Sequence, residues 1–240
     1  MKRIHFLLLL VIPLLLSCHS NAGNWLKSVT GNGHVTKVTR PVESFDGVKA
    51  SAGINVYLFQ GNDEKVVVEA DENLLECIKT EVKGSTLHCY IDCNIHFSTE
   101  MNVYVNYKML NSINASSGSD VLGETVIKTG TLDIEVSSGA DVKVEVDAEK
   151  VFCDVSSGSD ATIAGKASHF QGSASSGAEI KATDLKVETC DVTASSAGDI
   201  RITVNESIEA NASSGGDITY YGSPKREHVE ESSGGDVSRR

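Results

Sequence analysis

Residues 137–160 read SSGADVKVEVDAEKVFCDVSSGSD. The stretch opens and closes on the same block: two serines, a glycine, a small residue and an acid. Between the blocks, Val142, Val144 and Val146 alternate with Lys143 and Glu145, and Val151, Cys153 and Val155 follow with the same spacing. Alternation with a period of two marks strands with one buried face. Seven copies of the block begin at Ser116, Ser137, Ser156, Ser175, Ser195, Ser213 and Ser232, in steps of 21, 19, 19, 20, 18 and 19 residues. A repeat near twenty residues, made of strands and lacking a helical or leucine-rich signature, predicts a solenoid in which each repeat is one coil. Nineteen residues at roughly 3.3 Å each allow a perimeter of about 63 Å, enough for two facing strands of about seven residues. The expected fold is therefore all-β: a parallel β-helix of 19–20 residues per coil. The marker glycine turns the corner, where a positive φ or a missing Cβ is needed. Ser51-Ala52-Gly53-Ile54-Asn55 reads as a decayed further copy.

The chain divides into a leader, a linker and one domain. Lys2 and Arg3 precede Phe6–Ile12, a short apolar run, and Leu15-Leu16-Ser17-Cys18 follows. This is a secretory signal of the lipoprotein type over residues 1–17, with Cys18 as the lipidated residue; the run is too short for a membrane span. Residues 18–37 are small and polar and read as a tether, in which Trp25 suits a surface or lipid-interface contact. Residues 38–240 form the β-helix, irregular over 38–115 and regular over 116–240. Glu72–Val82 carries apolar residues at 74, 75, 78 and 82, which predicts one short helix capped by Asp71 and plugging the open end.

The formal charge is −12, or −14 once Lys2 and Arg3 are removed. That balance excludes nucleic acid as a partner and argues against electrostatic attraction to anionic membranes, leaving the lipid to hold the protein. Five cysteines remain beside Cys18. An exported chain permits disulfides; Cys77 pairs with Cys89 or with Cys93, and Cys153 and Cys190, two coils apart, are small buried hydrophobes.

No nucleophile elbow, H-E-x-x-H or paired Cys-x-x-Cys is present. Lys143, Lys166, Lys181 and Arg201 read as scattered, and the histidines are dispersed. No catalytic or cofactor-binding residue is assigned. The acids of the markers, Asp120, Asp141, Asp160, Glu179, Asp199, Asp217 and Asp236, should stand in one file about 4.8 Å apart. Such a file could hold Ca²⁺ between coils, although one acid per coil suits an Asx-type turn better. Tyr220-Tyr221 offers either a contact patch or a cover for a thin core, since adjacent strand residues face opposite sides.

SFDGVKASAGINVYLFQGNDEKVVVEADENLLECIKTEVKGSTLHCYI (residues 44–91), with Gly53-Ile54-Asn55 and the serial SSG turns, resembles the "putative auto-transporter adhesin, head GIN domain" family over about residues 40–240. The resemblance implies exported lipoproteins of the Bacteroidetes with a right-handed, single-stranded, pectin-lyase-like β-helix and no lyase residues. The family's suggested role is cell adhesion. The leading reading of the chain is a non-enzymatic lipoprotein of the cell envelope, lipid-anchored to the outer membrane on its periplasmic or exposed face, that meets another protein, a glycan or copies of itself. A β-helix enzyme acting on carbohydrate and a structural or signalling module of the envelope are the alternatives. The sequence runs only four residues past the last marker, so the final coil presents an unpaired edge suited to a trimer or to end-to-end pairing.

Overall fold

The computed structural model describes residues 28–240. The leader, Cys18, Trp25 and the first part of the tether lie outside the described residues. In chain order the strands are β1 (Val29–Thr30), β2 (Val35–Arg40), β3 (Gly47–Ser51), β4 (Asn55–Gln60), β5 (Lys65–Asp71), β6 (Ile78–Lys83), β7 (Thr86–Ile91), β8 (Ile95–Phe97), β9 (Met101–Tyr107), β10 (Ser112–Ser116), β11 (Asp120–Gly123), β12 (Ile127–Ser137), β13 (Asp141–Ser156), β14 (Asp160–Ser175), β15 (Glu179–Ser195), β16 (Asp199–Ser213), β17 (Asp217–Tyr221), β18 (Arg226–Ser232) and β19 (Asp236–Arg239). From β10 onward every pairing is parallel to the next coil, as a solenoid requires.

Each long strand bends once and serves two sheets. In β13, Val142, Val144 and Val146 point inward, then Val151, Cys153 and Val155 do so. The change from even to odd positions marks the bend. The half that follows a marker lies in what we term the first sheet, and the half that leads to the next marker lies in the second. Both inner faces meet in one continuous apolar core running the length of the stack. Variation in repeat length is absorbed near the bend, where the pairing shifts between Thr162 and Gly165 and between Ala182 and Lys186. The markers themselves stay in register.

The marker corner uses two left-handed residues, not one. Ser117, Ser138, Ser157, Ser176, Ser196, Ser214 and Ser233 all have φ between 50° and 60°, and the residue after each is also positive. Left-handed backbone costs a non-glycine residue about 1–2 kcal/mol. A rung of hydrogen bonds between coils offsets it: Gly118 N donates to Ser138 O at 3.1 Å, Gly139 N to Ser157 O at 3.2 Å, and Gly158 N to Ser176 O at 3.1 Å. Gly53 N donates to Ser117 O in the same way, and Ala52 shares the left-handed φ, so Ser51–Asn55 is a true corner of the stack.

Coil order at the N-terminal end departs from chain order. β3 lies between β7 and β10, and β4 lies between β9 and β11. The chain thus begins in an inner coil, builds an outer one with β7 and β9, and crosses back to continue on the other side. Antiparallel strands finish the outer end: β6 on β7, and β2 and β5 beside β9.

This closure replaces the expected helix. Only Glu72–Leu74 turns, as a single 3-10 turn, and Ile78–Lys83 is a strand. Leu74 and Ile78 are indeed buried, but I-K-T-E-V-K also alternates with period two, and pairing with β7 selects that period. Asp71 precedes the turn without capping it. Its carboxylate instead accepts from Gly33 N at 2.6 Å, Thr99 N at 2.7 Å and Thr99 Oγ1 at 3.1 Å, which holds its pKa below the ordinary value. Residues 29–30 and 35–37, read as tether, belong to β1 and β2.

Cys77 pairs with Cys93, Cα to Cα 5.5 Å. Cys89, Cys153 and Cys190 are buried thiols. Tyr220 is buried and covers the core, while Tyr221 is half-buried on the outer side.

Candidate functional site

Only the outward side chains are free to meet a partner, and the stacking sorts them into files along the solenoid axis. On the first sheet the pairing register runs Asn102, Asn55, Asp120, Asp141, Asp160, Glu179, Asp199, Asp217, Asp236. The marker acids do stand in single file. Two residues on, the neighbouring file contains Lys143, Lys181 and Arg201. Three of the four cations that looked scattered are therefore brought together; Lys166 pairs elsewhere, with Asp147 at 3.2 Å.

In the middle coils these two files satisfy one another. Lys181 Nζ lies 3.2 Å from Asp160 Oδ2 and 2.9 Å from Glu179 Oε2. Arg201 reaches Glu179 Oε1 at 2.6 Å and Asp199 Oδ2 at 2.9 Å. Desolvation, then Asp141, raises the pKa of Asp120. Desolvation also outweighs Arg201 at Asp199. Among the described residues no three acids, histidines or cysteines converge in a way that could hold a metal ion. Toward the N-terminal end the file turns neutral and aromatic. Asn55 Nδ2 donates to Asn102 Oδ1 at 3.2 Å, Tyr57 stacks on Tyr104 at 5.2 Å, and Tyr104 Oη donates to Glu69 Oε2 at 2.5 Å. That bond raises the Tyr104 pKa to about 12 and lowers that of Glu69.

The second sheet is different. Its outer files are Phe152, Gln171, Asp191, Glu209 and, two residues on, Asp154, Ser173, Thr193, Asn211. Between them the backbone of Cys153, Gly172 and Val192 forms the floor of a channel of about 400 Å³. A second depression of about 340 Å³, lined by Lys49, His88, Asn114, Asp133 and Glu135 among others, continues it toward the N-terminal coils. Gly172 faces inward and leaves room for the fully buried Phe170: a Cβ on Gly172 would lie 2.5 Å from the ring. Of the polar channel side chains, only Asp191 meets an ionisable partner of the other sign class, His169 Nε2 at 3.8 Å. Desolvation, then Glu135, raises the pKa of Asp154; desolvation, then Glu135 and Asp154, raises that of Asp133. No sequence motif announces this channel. Its signal was the alignment of outward residues at the repeat spacing, visible once the register is known.

The sequence profile of the family "Putative auto-transporter adhesin, head GIN domain" matches residues 44–224. The chain belongs to this family. Solved structures share the fold. A putative adhesin from Bacteroides fragilis NCTC 9343 superposes with a TM-score of 0.83 at 22% identity, covering 89% of this chain and 100% of the other. A putative adhesin from Parabacteroides distasonis ATCC 8503 gives 0.72 at 25% identity with the same coverages. A protein from the same organism described as a putative lipid binding protein gives 0.68 at 20% identity, also covering 89% and 100%. No curated protein matches. Head GIN membership places the chain among proteins of the cell envelope or surface, and the family and these fold neighbours carry the names of adhesins and binding proteins. Among the described residues, no helix is long and apolar enough to cross a membrane.

Proposed function

We propose that this protein is a non-enzymatic binding element of the cell envelope, adhesin-like, held at the outer membrane by a lipid on Cys18. The observation that carries this reading is the arrangement of its surface. Two outer faces run the length of the stack as files of polar side chains, and a rigid, flat, repetitive face suits extended contact with a partner. Membership of the head GIN family supports the same reading. With residues 19–28 extended, the lipid would sit within about 35 Å of β1, so the prism would stand close to the bilayer.

The test has three parts. Protease treatment of intact cells should remove the protein if it faces outward. Changing Cys18→Ala should release it from the membrane fraction. A deletion strain should adhere less to a target surface, restored by the intact gene. Envelope fragility with unchanged adherence would refute the adhesive reading, and turnover of a polysaccharide by the purified chain would refute the non-enzymatic one.

A further inference from the structure

Two observations together mark the channel on the second sheet. First, its polar groups are left over. In the middle coils of the first sheet, Lys181 and Arg201 neutralise Asp160, Glu179 and Asp199. In the channel, Gln171, Ser173, Thr193, Glu209 and Asn211 form no hydrogen bond or ion pair with another described side chain, and Asp154 faces further acid in Glu135 and Asp133. Second, its shape is linear. The two walls are residues i and i+2 of the same strands, about 6.6 Å apart, and they repeat at every coil, about 4.8 Å along the axis. The floor is bare backbone, because residues 153, 172 and 192 face the core, and the walls stay low at residues 173 and 193, which are small.

We propose that this channel binds a neutral, hydroxyl-rich chain, a glycan, lying along the solenoid axis across successive coils. The inference deepens the adhesive reading above and rests on it. The chemistry of the walls decides the class. Asp154, Asp191 and Glu209 accept hydrogen bonds and donate none; Gln171, Ser173, Thr193 and Asn211 do both; Phe152 supplies an aromatic side chain at one end. Sugar hydroxyls, which also donate and accept, match that mixture on both walls. A lysine- or arginine-rich peptide would need acid at every rung and finds Ser173 and Thr193 between the carboxylates. Acidic glycans and nucleic acid are repelled by these carboxylates and by the net charge of −12. Binding is carried by hydrogen bonds and stacking, so it should depend little on salt.

The purified full chain is applied to an array of neutral oligosaccharides, and the affinity of those retained is measured by calorimetry at about 0.05 M and 0.5 M salt, a range over which screening removes contacts between exposed charges. Retention of one or more neutral oligosaccharides, with affinity changing less than threefold with salt, is expected. Ser173→Arg, which fills the channel from an outward position, and Asp191→Ala should each weaken binding at least tenfold with unchanged melting temperature. Asp217→Asn, on the other sheet, should leave it intact. Should Ser173→Arg melt early, Thr193→Gln blocks the adjoining rung. The proposal is overturned if no neutral glycan is retained, if the channel variants bind as the parent does, or if oligolysine binds instead and is lost in salt. Adherence of cells carrying the parent and the Ser173→Arg variant separates the two readings: equal adherence removes the channel and leaves the adhesive role, and none in either removes both.

Discussion

The marker S-S-G-G-D at residues 213–217 contains two adjacent glycines that look equivalent in the sequence and are not. Gly215 has φ +73° and open space where a Cβ would point. Gly216 lacks a positive φ, but its Cβ would lie 2.5 Å from both the carbonyl carbon and oxygen of Ala194 and 2.7 Å from Ser195 N, in the coil beneath. Replacing Gly215 with alanine therefore costs the left-handed penalty, about 1–2 kcal/mol, less about 0.4–1 kcal/mol gained by stiffening the unfolded chain. The net is roughly 1 kcal/mol. The protein already tolerates this elsewhere: Ala197 occupies the same corner position with φ 62°. Replacing Gly216 forces backbone against backbone, where no flexible side chain can yield. Overpacking of this sort costs about 1–3 kcal/mol, occasionally more; Ala140 and Ala178 stand at this position in earlier coils, so the cost belongs to the closer approach of the glycine corners. Urea titration by far-ultraviolet circular dichroism, with hydrogen exchange at Asp217–Tyr221, would measure both, because coils of a solenoid open locally as well as globally. Equal losses, or a larger loss for Gly215→Ala, would show that contact with the coil beneath does not govern this corner.

Four further outcomes follow from the core and the cap. Phe170→Val leaves a cavity and Gly172→Val strikes the Phe170 ring, so each destabilises alone; together they restore a consensus pair of inward residues, and the double variant should be more stable than the sum of the singles by about 0.5–3 kcal/mol, read from urea midpoints. Asp71 has a depressed folded pKa, so its contribution is whole above the unfolded value near 3.9 and is lost as pH falls through the lower, folded one. Asp71→Asn should then lower the melting temperature at neutral pH by a margin that closes in acid; a margin independent of pH would contradict this. Reduction of Cys77–Cys93, sixteen residues apart, should cost the cap about 3 kcal/mol. Cys89 and Cys190, whose pKa values burial pushes up to about 12, should resist iodoacetamide until the chain unfolds.

What could be read in advance, and what could not, divides along the same line as the chain. The seven markers recur at nearly one spacing, and a single period dictates both the stack and the file of acids. Residues 38–115 have no such period. Whether Ile78–Lys83 coils or extends depends on β7 lying beside it, and neither i to i+4 nor i to i+2 spacing in the segment reveals that neighbour. The place of β3 between β7 and β10 is likewise a long-range fact, foreshadowed only by the decayed marker at Ser51. At the corners the glycine was legible as a turn residue, whereas the left-handed serine before it was not, since serine seldom adopts that backbone. As for the channel, outwardness was legible at Asp154, Asp191 and Glu209. That no lysine or arginine reaches them, while Lys181 and Arg201 pair Asp160, Glu179 and Asp199 on the other sheet, required the register.

The inner position of β3 and β4 sets a timetable for the chain as it emerges. The first coil to be synthesised has both edges bare, and neither is covered until Tyr107 on one side and Gly123 on the other have appeared. The head must close as a unit. Beyond it each coil needs only the one before, so coils can be gained or lost over evolutionary time in the serine-rich half without disturbing the head, and the length of the binding face is free to change where its beginning is not.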